Sequence, residues 1–253
     1  MCVDHDSRPP IPPIAGGALD GARVDVTGSD GNRFAAFRAR PDAPSGNGIV
    51  ILPDVRGRHG YYEELALRFA EQGIDALTID WFGRTADDDV RDASFDHMRH
   101  VDRTSWRGTA SDIAAGVAAV RAERIEHIFT IGFCLGGRLS FLAGTLGLDL
   151  AGVIGMYGTL AGPWRQHDAP APLDQVTAMA SPVLGLFGGD DPSIPAEAIA
   201  AFEAALEATG TDRRIVTYPD APHSFFDRKA ERFAAESAAA WGEVLDFIAT
   251  RGA

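Results

Sequence analysis

Residues 131–137 read Ile131-Gly132-Phe133-Cys134-Leu135-Gly136-Gly137, and the fold is decided there. His127 to Ile131 just before it has the aromatic and β-branched character of a strand, and Leu135 to Leu146 just after it has helical spacing. Cys134 therefore sits where a strand becomes a helix. The glycines two positions to either side complete the pattern G-x-S-x-G, with cysteine in the serine place. The bend forces its central residue into strained backbone angles. Side chains two positions away would collide with neighbouring backbone, and glycine removes those clashes. The helix that follows aims its first N–H groups at the sulfur, which favours a thiolate and a developing oxyanion. The plainer alternative is a small buried cysteine beside packing glycines, in a chain that has 28 glycines.

Working outward, the strand–helix alternation repeats. Arg23 to Thr27 and Arg33 to Ala39 read as two strands joined by the turn Ser29-Asp30-Gly31-Asn32. Gly48 to Leu52 and Ile74 to Ile79 are continuous apolar runs, as expected of strands buried on both faces. Glu63 to Gln72, Asp112 to Glu123, Ala196 to Ala208 and Ala230 to Ala249 have helical spacing. Ala151 to Met156, Pro182 to Phe187 and Arg214 to Tyr218 are further strands. Residues 85–105 are a polar excursion and 158–180 a loop-rich one. Strands alternating with helices of this length predict an α/β fold: a mostly parallel sheet of about eight strands with helices on both faces. The early hairpin adds antiparallel strands at one edge. Residues 1–18 read as a proline-rich arm and 19–253 as one domain.

The chain has 253 residues, of which 45% are hydrophobic and 23% charged, so extended disorder and collagen-like structure are excluded. Its 23 basic and 36 acidic residues give a net charge of −13. Such a surface repels phosphate backbones and anionic lipid, so neither nucleic acid nor membrane is an expected partner. No run of 18 apolar residues occurs, and the start MCVDHDSRPPIPPI lacks the basic and apolar segments of a signal peptide. Cys2 and Cys134 are the only cysteines, too few for a disulfide scaffold or a four-cysteine zinc site. A cytoplasmic setting is the expectation. His97, His100 and Asp96 could mimic a metal site, but no third ligand has helical register. Neither metal nor cofactor is expected.

On a sheet of this kind the acid follows the nucleophile and the histidine comes last. Leu186-Phe187-Gly188-Gly189-Asp190-Asp191-Pro192-Ser193-Ile194-Pro195 is a strand end followed by an acidic turn. Tyr218-Pro219-Asp220-Ala221-Pro222-His223-Ser224-Phe225 is a strand end followed by a histidine. Both ends lie at the same carboxyl edge as Cys134. His223 can take the thiol proton and later protonate the leaving alcohol, and a carboxylate behind it fixes its tautomer. Asp191, just past the glycine turn and before a proline, is preferred to Asp190; Asp220 reads as a turn former.

Together these segments, with Gly155-Met156-Tyr157-Gly158, resemble the dienelactone hydrolase family within the α/β-hydrolase superfamily, over about residues 20 to 250. The resemblance implies a cysteine-dependent hydrolase of small-molecule esters or lactones, with Cys134 as nucleophile. It implies a carboxylate beside the resting thiol, for which Asp54 is the matching residue, where glutamate is the common choice. It implies an oxyanion hole from the N–H groups of Val55 and Leu135, and a substrate carboxylate held by two arginines. Arg84 matches the first. For the second Arg228 is the nearest, displaced toward the C-terminus with Asp227 beside it. An enol-lactone suits a thiol, because the departing enolate is already stabilised. The competing readings are a broader carboxylesterase, a non-catalytic binder on the same scaffold, and a thiol redox protein using Cys2 as resolving partner.

Overall fold

The computed structural model describes residues 7–14, 20–164 and 168–252. Its eight strands are β1 (Asp20–Thr27), β2 (Arg33–Arg40), β3 (Asn47–Leu52), β4 (Asp75–Ile79), β5 (His127–Phe133), β6 (Gly152–Met156), β7 (Val183–Asp190) and β8 (Arg213–Pro222). They form one sheet in the order β1-β2-β4-β3-β5-β6-β7-β8. β1 pairs antiparallel with β2, from Asp20↔Arg40 to Thr27↔Arg33, and β2 pairs antiparallel with β4. From β4 to β8 every neighbouring pair is parallel. This is the expected sheet.

The helices are α1 (Gly60–Glu71), α2 (His97–Val101), α3 (Trp106–Arg121), α4 (Leu135–Ala143), α5 (Ala196–Ala208) and α6 (Ala234–Arg251). β6 shows why both faces are covered. Gly152 and Gly155 are an odd number of residues apart, so they face opposite sides of the sheet. A Cβ on Gly152 would meet the Phe247 ring of α6 at 2.5 Å, and one on Gly155 would meet the Phe141 ring of α4 at 2.2 Å. Phe69 of α1 packs on Trp241 of α6, and Phe141 of α4 on Phe202 of α5. β3, β4 and β6 are buried along their whole length, which is why they read as unbroken apolar runs.

Several boundaries differ from the sequence reading. α3 starts at Trp106 rather than Asp112, because the Ser105 hydroxyl accepts from the Gly108 N–H at 3.2 Å and caps it there. α4 ends at Ala143 and α6 starts at Ala234, both shorter at one end than their patterns suggest. The polar excursion contains α2, capped by Asp96, and the later one contains a 3-10 helix, Pro172–Ala178. The polar excursion is tied down by a fork between Arg91 and Asp80 at 2.6 and 3.1 Å, with Arg91 stacked on Phe95. Part of the proline-rich arm is described. Its Ile11 packs on the core, and the Ile14 N–H donates to Glu71 on α1. No helix among the described residues is long and apolar enough to cross a membrane.

The strand order reverses around β3, with β4 on one side and β5 on the other. In open parallel sheets the crevice outside the carboxyl ends at such a point is where ligands bind. A Cβ on Gly136 would stand 2.0 Å from the Leu52 carbonyl oxygen and 2.4 Å from that of Pro53, so the first turn of α4 is pressed against the end of β3. Gly136→Ala is expected to lose more than about 4 kcal/mol in chemical denaturation, since backbone must move. Gly242→Ala on α6, where a Cβ meets nothing within 4 Å, is expected to gain up to about 1 kcal/mol from helix propensity.

Candidate active site

Cys134 precedes α4 with φ 55° and ψ −112°, a left-handed conformation unusual for a side-chain-bearing residue. Three contacts fix it there. Its N–H donates to the Met156 carbonyl at 3.0 Å, and its carbonyl accepts from the Arg138 N–H at 3.1 Å. A Cβ on Gly132 would lie 1.8 Å from the Gly136 oxygen, so the chain folds back on itself as tightly as glycine allows. The thiol is free and partly exposed. Leu135 opens α4, and Val55 lies just past the β3 end that touches Gly136. The structure thus brings these two backbone segments together.

His223 follows the end of β8, and its Nδ1 lies 2.6 Å from Asp191 Oδ2. Asp191 follows β7 and is almost wholly buried. Its other oxygen accepts from the Ser193 hydroxyl and, at 2.9 Å, from the Ser193 N–H. Burial pushes the Asp191 carboxyl up, but the bonds to His223 and Ser193 outweigh that and hold it below the usual carboxylate range. Asp190 and Asp220 are exposed.

Asp54 is fully buried. Its Oδ1 accepts from the Arg56 N–H at 2.9 Å, and its own N–H donates to the Tyr62 hydroxyl at 3.0 Å. Among the described residues its Oδ2 has no hydrogen-bond partner. Desolvation pushes its pKa up to about 6, against the pull of the Arg56 N–H and the charges of Arg56 and His223.

The arginines fall elsewhere. Arg84 forks onto the buried Asp112 at 2.8 and 2.8 Å and reaches Asp30 at 2.7 Å. Asp30 belongs to the β1–β2 turn, at least three strand spacings, roughly 14 Å, from β5. The expectation that Arg84 faces the substrate is corrected: a carboxylate as buried as Asp112 needs a charged partner, and Arg84 supplies it. Arg228 is exposed, and the buried residue at this point is Asp227 instead. Asp96 caps α2, and His100 stacks on Phe95 with Nδ1 3.1 Å from Thr85 Oγ1. Cys2 lies outside the described residues.

Four residues that sequence reasoning missed complete the site: Tyr61, Tyr62, Tyr157 and Asp227. The Tyr157 ring is 5.0 Å from that of His223, and its hydroxyl donates to Asp227 at 2.8 Å. The Tyr61 hydroxyl donates to the Phe226 carbonyl at 3.0 Å. Burial, then the charges of Asp227 and Asp54, push the Tyr61 pKa well up. Tyr157 carried a signal, since it directly follows β6 at the same sheet edge. Tyr61 and Tyr62 look like ordinary core residues of α1 and carried none.

A profile of the dienelactone hydrolase family matches residues 34–251. The chain belongs to the dienelactone hydrolase family. A Yersinia pestis protein named "Putative carboxymethylenebutenolidase" is 30% identical over 230 residues, covering 88% of this chain and 86% of that one. A Bradyrhizobium protein named "Probable 2-oxo-3-(5-oxofuran-2-ylidene)propanoate lactonase" is 29% identical over 238 residues, covering 89% and 92%. The crystal structure of a Klebsiella pneumoniae protein described as "Putative Dienelactone Hydrolase" superposes with a TM-score of 0.78 at 26% identity, covering 92% of this chain and 99% of that one. With the family comes the enzyme class, a hydrolase of lactone or ester bonds.

The raised Asp54 pKa has a stability consequence. A carboxyl whose folded pKa lies above its unfolded value stabilises fully below the unfolded value, and loses that contribution as pH rises through the folded one. Here the window runs from about 4 to about 6. At pH 8 ionised Asp54 costs roughly 3 kcal/mol. Asp54→Asn is therefore expected to raise Tm at pH 8 and to leave it near wild type at pH 4. Calorimetry at the two pH values checks this, and an equal effect at both would contradict it.

Proposed function

We propose that this hydrolase works through Cys134 as nucleophile, with His223 as proton carrier and Asp191 behind it. The observation that carries the reading is a partly exposed thiol on a left-handed bend at the carboxyl edge of the sheet, the edge that also carries an imidazole held at 2.6 Å by a buried carboxylate. The substrate is a small-molecule ester or lactone. The sulfur attacks the carbonyl carbon, and the N–H groups of Val55 and Leu135 hold the oxygen as it gains charge. As the tetrahedral adduct collapses, the C–O bond breaks, and the leaving oxygen takes the proton His223 had received from the thiol. A water molecule, deprotonated by His223, then attacks the thioester carbonyl. The C–S bond breaks, the acid departs and the thiol is restored.

Asp54 stands beside this cycle as a carboxylate with one oxygen unsatisfied. Its burial makes it a better base than an ordinary aspartate. The Cys134 thiol is needed in its reduced state, and on that ground we place the enzyme in the cytoplasm.

Cys134→Ala is expected to lower kcat/KM on an aryl acetate at least a thousandfold with unchanged denaturation, and His223→Ala to do the same. The double variant should be no worse than either single one, because the pair acts as a unit. Turnover by Cys134→Ala at the wild-type rate sinks the mechanism.

A further inference from the structure

β8 is the last strand of the sheet, with β7 as its neighbour on one side. Its pairing ends at Pro222, so His223 stands on the turn just beyond it. Asp191 holds one atom of the imidazole, Nδ1, at 2.6 Å. A ring held at one atom can still tilt about that contact. Tilt moves the opposite nitrogen farthest, and that is the atom that must exchange a proton with the sulfur. A misplacement of about 1 Å at such a point can cost a hundredfold in rate.

The segment after His223 is tied to three elements. The Tyr61 hydroxyl of α1 donates to the Phe226 carbonyl and the Ser237 hydroxyl of α6 to the Phe225 carbonyl, each at 3.0 Å. The third tie comes from Tyr157, just past β6, whose hydroxyl donates to Asp227 Oδ2 at 2.8 Å. A buried tyrosine needs a hydroxyl partner wherever it lies. What singles out Tyr157 is the imidazole against its ring: the two centroids are 5.0 Å apart and the planes inclined at 59°. Tyr157 is itself stiffly placed. It is wholly buried, its N–H donates to the Leu186 carbonyl of β7 at 2.8 Å, and the rings of Phe225 and Phe133 lie 5.7 and 6.3 Å away.

We infer that Tyr157 is a positioning residue for the hydrolysis: anchored through its hydroxyl on Asp227, its ring sets the tilt of His223. The inference rests on the reading of Cys134 as nucleophile and His223 as proton carrier. Its consequence falls on the collapse of the tetrahedral adduct. A 4-nitrophenolate leaves without a proton, whereas an alkoxide needs one from His223. When that proton is badly aimed, the adduct expels the thiolate instead and returns to the starting ester. A mis-tilted imidazole therefore slows alkyl esters more than activated aryl ones. A loosened fold that merely lowers the fraction of active enzyme slows both alike.

The test measures kcat/KM of the whole protein on 4-nitrophenyl acetate and benzyl acetate, which share the acyl group and carry aromatic leaving groups of similar size. The readout is the ratio of the first value to the second. Tyr157→Leu removes the ring and should raise that ratio at least about tenfold. Tyr157→Phe keeps the ring and drops the tie to Asp227, with little change in volume, and should raise it about threefold with unchanged denaturation. Either ratio staying at the wild-type value overturns the inference, and the Cys134 chemistry then stands as long as Cys134→Ala is inert on both esters. Turnover of both esters by Cys134→Ala at the wild-type rate brings down that chemistry, and this inference with it.

Discussion

The contact on which the rest depends is backbone against backbone. The first turn of α4 is wedged among the ends of β3, β5 and β6 at distances no Cβ could enter. Gly132 closes on Gly136, and Gly136 closes on the Leu52 and Pro53 carbonyls. On the other side Gly137 lies against Gly158, where a Cβ would meet the Gly158 Cα at 3.0 Å. The wedge leaves Cys134 one conformation, with positive φ, and lifts its sulfur out of a core that buries every residue of the helix behind it. It also brings the β3 loop, with Asp54 and Val55, alongside Leu135. Thiol, carboxylate and backbone donors thus share one place because three strand ends share one helix terminus. No side-chain contact could fix them as stiffly, since bond lengths and excluded volume set these distances.

Around that wedge the acidic chain sorts its charges into two kinds. Three buried acids each have an arginine bound to them: Asp112 has Arg84, Asp80 has Arg91, and Asp75 has Arg38. These pairs tie together hairpin, excursions and sheet, and they sit away from β5. Asp54 is different. It is wholly buried with no arginine paired to it, and its pKa of about 6 records the cost. A fold that elsewhere gives buried carboxylates charged partners leaves this one without, just past the β3 end that meets α4. Such exceptions concentrate where chemistry happens.

The parts of this arrangement that could be read from the sequence were those governed by local rules. Strands β3 and β4 are apolar runs because both faces are covered, and the septet 131–137 carries its own geometry in its glycines. The order Cys134, Asp191, His223 follows from strand ends alternating along the chain. What escaped reading depended on distant pairing. Arg84 looks like a loop arginine near the site until Asp112, 28 residues on, and Asp30, 54 residues back, are seen to hold it. The early start of α3 escaped for a related reason. Gly108 looks like a helix breaker, yet a Cβ there would lie 2.9 Å from the Arg84 side chain, so the glycine makes room for that ion pair. Asp227 and Tyr157 are 70 residues apart, and nothing in either segment announces the other.

These two groups of hidden contacts bear on the same question. In the family pattern the residues following β4 and His223 supply positive charge to the substrate. Here the first is drawn off by Asp112, and at the second the buried position is occupied by an acid. The Tyr157 hydroxyl links this carboxylate to the ring that packs on His223, so Asp227 reaches the imidazole through one hydrogen bond and one ring contact.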